Sequence, residues 1–276
     1  MKNEQIKISV VTICFNCEAV IENTIRSVLN QTYENMEYII IDGASKDTTM
    51  KIVNQYRENI DYISSEPDKG IYDAMNKGLQ ACTGDYVIFM NAGDSFYNEM
   101  VLECFIPQIQ EDTVIAHGNI MTIGSDFKYL VKPSPLNMMG DRMTVKHQAT
   151  FTRLDYHKAH LFDATFRSSG DYDFFYKAHF CDAVKFQYIP LCVANFDASG
   201  TSNVNFRRSF RENLRIWNKE HDWLFRLKQE LIFISWDIKR LIKTYLMSES
   251  KRIATTRRRI ELHSQVYRLD EVVEGI

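Results

Sequence analysis

A chain of 276 residues with 45% hydrophobic and 12% aromatic content is too apolar to stay disordered, and it is long enough for one large domain or one domain with an appendage. Its net charge of −3 conceals an uneven split, because residues 1–204 carry 17 Lys+Arg against 26 Asp+Glu and residues 205–276 carry 16 against 10. An acidic body without a recognisable binding module excludes nucleic acid as a partner, whereas the basic tail calls for an anionic surface or for docking on the body.

Met1 to Gln5 lead straight into a strand, with no signal-peptide pattern, and no apolar run reaches the roughly 18 residues that span a bilayer. Six scattered cysteines give no disulfide framework, so the expected compartment is the reducing cytoplasm. Ile6 to Phe15 is a near-continuous apolar run, the pattern of a strand buried on both faces. Cys14-Phe15-Asn16-Cys17 has the spacing of a redox or zinc half-site, but no second pair completes it, and buried thiols are the reading. A helix is predicted over Asn16–Gln31, with Ile21, Ile25, Val28 and Leu29 on one stripe. Strand Tyr38–Ile41 follows, then a helix from about Lys46 to Arg57, a short strand Tyr62–Ser64, a helix Tyr72–Cys82 and a strand Tyr86–Met90. This alternation predicts a parallel sheet with right-handed crossovers.

Past Asp94 the style changes. Val114–Ile123 and Phe127–Val131 read as a hairpin around Gly124-Ser125-Asp126. Lys132 to Asp141 lacks periodicity and reads as a mobile loop. Gln148–Thr152 is a short strand, Asp171–Phe180 a helix, and Phe186–Phe196 one or two strands. From Asn205 onward the chain reads as wholly helical, with no proline. Leu224, Leu227, Leu231, Ile234, Ile238, Leu241 and Tyr245 recur at alternating spacings of 3 and 4, a seam that packs along another helix in the molecule or in a homodimer. A second apolar set (Trp223, Phe225, Ile232, Phe233, Trp236), the cations Arg226, Lys228, Lys239, Arg240 and Lys243, and the run Arg257-Arg258-Arg259 support a rival reading, a helix lying on an anionic membrane.

Two strands end alike, one in Asp42-Gly43-Ala44-Ser45 and the other in Asn91-Ala92-Gly93-Asp94. Carboxylates at that edge of an open α/β sheet lie where ligands bind, and two of them suit a nucleotide with a divalent metal. Asp94 is placed to hold the metal beside the amide oxygen of Asn91, and Gly93 lets the backbone approach closely. Asp42 could accept hydrogen bonds from a base or a ribose. The bland alternative is that both aspartates cap following helices.

Val11-Thr12-Ile13-Cys14-Phe15-Asn16, Ile41-Asp42-Gly43-Ala44-Ser45-Lys46-Asp47-Thr48-Thr49 and Asp68-Lys69-Gly70-Ile71-Tyr72-Asp73-Ala74-Met75-Asn76-Lys77-Gly78 occur in order, followed by Gly84-Asp85 and Asn91-Ala92-Gly93-Asp94. Together they closely resemble family 2 glycosyltransferases of the bacterial surface-polysaccharide type, over about residues 6–204. The resemblance implies a GT-A catalytic domain over 1–204, built on a Rossmann-like, mostly parallel mixed sheet, and a helical extension over 205–276. It implies inverting transfer of a hexosyl or N-acetylhexosaminyl group from a nucleotide-diphospho-sugar, UDP being the expected nucleotide, to a glycan or polyprenyl-linked acceptor. A place on the inner face of the cell membrane would follow from such an acceptor.

The resemblance also implies roles. Thr12 and Asn16 border the nucleotide, Asp42 contacts the base, and Asp73, Lys77, Asn91, Ala92 and Gly93 belong to the nucleotide-sugar site. Asp94 matches the last residue of the family's Asp-x-Asp motif, the ligand for Mn²⁺ or Mg²⁺. Asn91-Ala92 replaces the leading acid, which makes metal binding depend on the donor's phosphates. Gly170-Asp171-Tyr172-Asp173 resembles the late acidic motif, with Asp171 at the base position and Asp173 as a cap or orienting group. His147, in Lys146-His147-Gln148, is a candidate for metal, phosphate or acceptor contact, and equally for a structural part. Arg153 and Lys69 could neutralise diphosphate or be merely solvated. Ser202, in Ser199-Gly200-Thr201-Ser202, could order over the phosphates or belong to a plain turn. A dinucleotide oxidoreductase is excluded, since no Gly-x-Gly-x-x-Gly turn follows the first strand. A non-catalytic partner that retains the fold is the remaining alternative.

Overall fold

The structure, a computed structural model, describes residues 6–197, 206–219, 221–262 and 264–269. Its parallel half consists of β1 (Ile8–Cys14), β2 (Met36–Asp42), β3 (Tyr62–Ser65) and β4 (Tyr86–Phe89), in the spatial order β3-β2-β1-β4. Helices α1 (Ile21–Leu29), α2 (Thr49–Gln55) and α3 (Ile71–Ala81) connect them. Ile8, Val10, Tyr38 and Ile40 pack with Ile21, Ile25 and Val28 of α1 on one face, while Val11, Ile13, Ile39 and Ile41 pack with Met75 and Leu79 of α3 on the other. Burial on both faces is why these strands read as unbroken apolar runs.

Two helices start later than their periodicity predicts, at Ile21 and Thr49. The residues before them spend their N–H groups on each other's loop. Asn16 N donates to Ser45 Oγ at 2.8 Å, Lys46 N to Asn16 Oδ1 at 2.8 Å, and Thr48 N to Glu18 Oε2 at 2.8 Å. Loops locked this way hold the carboxyl edge of β1 and β2 in one shape.

The second half comprises β5 (Ser95–Phe96), α4 (Val101–Phe105), β6 (Ile115–Ile123), β7 (Lys128–Val131), β8 (Thr150–Arg153), α5 (Leu154–Ala159), α6 (Gly170–Phe180) and β9 (Phe186–Asp197). β8 lies antiparallel between β4 and β6, β6 and β7 form the expected hairpin, and β9 runs parallel to β6. The 132–141 segment is more ordered than its composition suggests, because Met139 is fully buried and its carbonyl accepts from the Tyr172 hydroxyl at 2.6 Å.

The tail forms α7 (Phe206–Ile216), α8 (Trp223–Leu246) and α9 (Glu249–Glu261), but it is not wholly helical. After α9 comes β10 (Val266–Tyr267), which pairs antiparallel with β7, Val266 opposite Tyr129. A β-branched and an aromatic residue suit a strand there and cover part of an otherwise open edge. The expected boundary at 204/205 lies outside the described residues. α7, beyond it, packs on α6: Trp217 Nε1 donates to Tyr172 Oη at 2.8 Å and the Arg215 guanidinium lies 4.5 Å from the Phe166 ring centroid.

Near the amino ends of the parallel strands, Glu37 of β2 joins three segments. It accepts from Ser9 Oγ at 2.5 Å, Lys7 Nζ at 2.9 Å and Thr83 Oγ1 at 2.6 Å. Burial works against its charge, yet these donors hold its pKa down to about 2. A depressed carboxylate adds stability above its unfolded pKa, and that contribution disappears as pH falls through the folded value. Between about pH 4.5 and 2, up to about 3 kcal/mol should therefore be lost, and acid titration of Glu37→Gln should show a flatter fall than wild type.

Candidate active site

Three loops meet at the carboxyl edge, and each carries a residue in the left-handed region: Asn16 after β1 (φ 46°), Ala44 after β2 (φ 63°) and Gly93 after β4 (φ 101°). Such backbone persists where surrounding contacts over-determine it, and it clusters at binding sites. Here Thr24 of α1 pins the third loop. Its hydroxyl accepts from Gly93 N at 3.0 Å and donates to Asp94 O at 2.7 Å. Asp94 leads into β5 rather than a helix, so helix capping does not explain it.

Asp42 is fully buried and structurally engaged. It accepts from Ser45 N at 3.0 Å, Ser45 Oγ at 2.5 Å and Ser65 Oγ at 2.6 Å, and Cys14 Sγ lies 3.7 Å away. Thr12 is also fully buried, donating to Met90 O at 2.7 Å and meeting the Tyr38 hydroxyl at 3.0 Å, so its side chain braces β1 against β4. All six cysteines are free thiols, and contact with Cys17 together with burial pushes the Cys14 thiol far up. Asp73 and Lys77 brace the loop before α3. Asp73 accepts from Lys69 N at 2.9 Å, and Lys77 bridges to Glu66 at 3.1 Å and to Pro67 O at 2.9 Å.

A chain of side chains links the β4 loop to the late acidic motif. The Asn91 amide nitrogen lies 3.3 Å from His147 Nε2, Asp171 Oδ2 accepts from His147 Nδ1 at 3.0 Å, and the Tyr72 hydroxyl donates to Asp171 Oδ1 at 3.0 Å. Burial opposes charge on Asp171, but the His147 and Tyr72 donors and Tyr172 N outweigh it and keep the carboxyl below its usual range. His147 shows the converse. Burial would lower its pKa, and the hydrogen bond and charge of Asp171, helped by Asp94, raise it overall. Burial and the neighbouring Asp171 anion raise the Tyr72 phenol well above normal, so it remains a donor. Asp171 is thus held as an oriented anion.

A cavity of about 820 Å³ opens beside this chain. Tyr72, His147 and Asp171 line it together with apolar Met75, Ile120, Val131, Met143 and Phe196 and the cations Lys146, Arg167 and Arg208. Asn16, Asp42 and Asp94 do not line it. Asp173 does not either. It forms an ion pair with Lys177 at 2.7 Å, which fits an orienting part. Arg153 is paired with Asp155 at 2.8 Å, and the Lys69 carbonyl accepts from Arg167. Ser202 lies outside the described residues.

The start of α6, which carries Asp171, is fixed from the tail. Glu212 of α7 accepts from the backbone N–H of Arg167 and Ser168 at 2.9 Å and of Ser169 at 2.8 Å. These donors lie in the segment leading into α6, so Glu212 ties that segment to α7. Glu212→Ala should cost about 1.5–3 kcal/mol in urea unfolding, the range for hydrogen bonds to a charged group. An unchanged midpoint would mean that α7 does not support this helix.

The donor set fits a hard divalent cation. Asn91 Oδ1 is buried with no hydrogen-bond partner, close in sequence to the Asp94 carboxylate. No group of three or more His, Cys, Asp or Glu that could hold a metal ion occurs among the described residues. Oxygen donors this few suit a cation whose remaining ligands come from phosphate.

The sequence profile described as Glycosyl transferase family 2 matches residues 9–168. A PGL/p-HBAD biosynthesis glycosyltransferase of Mycobacterium bovis is 27% identical over 214 residues, covering 75% of this chain and 83% of the relative. A glycosyltransferase of Mycobacterium tuberculosis named as uncharacterized is 29% identical over 206 residues, covering 71% of this chain and 77% of the relative. S. aureus TarS 1-349 in complex with UDP-GlcNAc matches with a TM-score of 0.61 at 18% identity, over 78% of this chain and 66% of that one. This chain thus spans slightly less than two thirds of that structure. The mannosyltransferase PcManGT from Pyrobaculum calidifontis, in complex with GDP-Man and Mn²⁺, matches with a TM-score of 0.62 at 13% identity, over 95% of this chain and 82% of that one. Both likenesses are of fold, the GT-A arrangement of a mixed sheet followed by helices.

Proposed function

The chain belongs to glycosyl transferase family 2, and on that basis we propose that it is an inverting glycosyltransferase. It moves a hexosyl or N-acetylhexosaminyl group from a nucleotide-diphospho-sugar, UDP being the expected nucleotide, to a hydroxyl of a glycan or lipid-linked glycan acceptor. The product belongs to cell-surface polysaccharide synthesis. Free thiols throughout fit a cytoplasmic place of work.

The observation that carries this reading is the continuous chain Asn91–His147–Asp171–Tyr72. It connects the strand end suited to a donor diphosphate with the cavity suited to an acceptor. Asp171 takes the proton of the acceptor hydroxyl as the new bond forms from that oxygen to the anomeric carbon. The bond from the anomeric carbon to the diphosphate oxygen breaks, and the nucleoside diphosphate leaves with the electron pair. His147 and Tyr72 hold the carboxylate in place, and Asn91 fixes the imidazole. Asp94 and Asn91 Oδ1 would hold Mn²⁺ or Mg²⁺, which when bound offsets negative charge on the leaving diphosphate.

A thermal-shift screen of nucleotide sugars with Mn²⁺ and Mg²⁺ tests the reading. A matching donor at about 100 times its Kd should add about 2.7 kcal/mol of stability, a shift of several degrees. A protein stabilised by no nucleotide sugar would not be this enzyme. One that binds a donor without ever turning it over would be the non-catalytic partner.

A further inference from the structure

The seam of α8 from Leu224 to Tyr245 is 49–84% exposed at every position. The helix packs on α7 with its other face: Phe233 is buried, its ring 5.0 Å from that of Phe210. Among the described residues the seam thus packs along no helix of its own chain. A helix of 24 residues is about 36 Å long, and an apolar ridge of that length in contact with water marks an interaction surface. The two ends of the ridge carry exposed aromatics, Trp223 and Tyr245.

Charge decides what covers it. Two copies zipped along the seam would bring its flanks together, with Glu230 and Asp237 on one edge, Asp237 already paired with Arg207 of α7, and Ser235 and Ile242 on the other. A parallel pair sets Glu230 against Ser235 and Asp237 against Ile242, and an antiparallel pair sets acids against acids. Neither arrangement is fixed by opposite charges. An anionic surface, by contrast, meets an excess of cations, since residues 205–276 carry 16 Lys+Arg against 10 Asp+Glu. Lys239 on α8 and Lys251, Arg258 and Arg259 on α9 are exposed. The acidic body is repelled by the same surface, which leaves the tail as the part that lands. No helix among the described residues is long and apolar enough to cross a membrane, so the contact is in-plane.

We propose that α8 and α9 form a docking surface for an anionic lipid membrane, with the α8 ridge at the acyl boundary and the cations among the head groups. This goes beyond the catalytic reading.

Sedimentation of the full chain with phosphatidylcholine vesicles, with and without phosphatidylglycerol, tests it. The protein should pellet only when phosphatidylglycerol is present, and raising the salt should release it. Leu231→Ser with Ile238→Ser changes two exposed positions and should keep the unfolding midpoint while reducing bound protein about tenfold or more. Arg258→Gln with Arg259→Gln should weaken binding and its salt dependence. Protein that stays in the supernatant in all vesicles overturns the proposal. So does a stable dimer in light scattering that the ridge variant dissociates, because the ridge then belongs to a second copy. The assay contains neither donor nor acceptor, so its outcome is separate from that of the transfer reading.

Discussion

Asp171→Asn should lower sugar transfer by about 10²–10⁴, the usual contribution of a general base, and leave donor binding in place. The substitution keeps the shape of the side chain and removes its ability to take a proton. The wild-type carboxylate suits that role, since it is ionised and its direction is fixed by two side-chain donors and by Tyr172 N, which donates at 2.9 Å. Calorimetry with UDP should give the wild-type affinity, because the strand-end loops are untouched. Transfer at the wild-type rate would move the role to another carboxylate. Asp173 would be the next to test, although its 2.7 Å pair with Lys177 directs it elsewhere.

Asp94→Ala should remove the metal's contribution. In wild type, Mn²⁺ should increase the stabilisation by UDP, since a cation bridging carboxylate and diphosphate links the two binding events. In the variant the UDP shift should be the same with Mn²⁺ or with a chelator, and transfer should fall by about 10² or more. Asp42→Ala is a poorer probe. That carboxylate holds Ser45 and Ser65, so its loss would loosen β2 and β3 whether or not it touches a base. UDP stabilisation that remains metal-dependent without Asp94 would place the cation on other ligands.

The sheet was legible because Ile6–Phe15 and Tyr38–Ile41 are apolar on both faces, a pattern that only a covered strand can use. The strand-end aspartates were legible for a related reason: a carboxylate at the end of such a run, or in the short turn after it, lies at the sheet edge. What could not be read locally was partnership over distance. Tyr72 and Asp171 are 99 residues apart, and Glu212 reaches back more than forty to the start of α6, so neither leaves a periodic or motif signal. Helix starts were misjudged where Asn16 and Lys46 bond across loops, because amphipathic spacing continues past the point where the backbone stops being helical. The seam of α8 was visible as a seam, but spacing records only that a face is apolar, not what covers it. β10 was missed because two residues are too few to show alternation.

The most direct test of the central claim is proton NMR of the sugar released from an α-linked UDP-sugar, recorded as hydrolysis proceeds with water in place of the acceptor. An Asp171-assisted, single-displacement site predicts that the β-anomer appears first, before mutarotation mixes the two, and that Asp171→Asn abolishes the signal. First appearance of the α-anomer, or undiminished release by the variant, would contradict it.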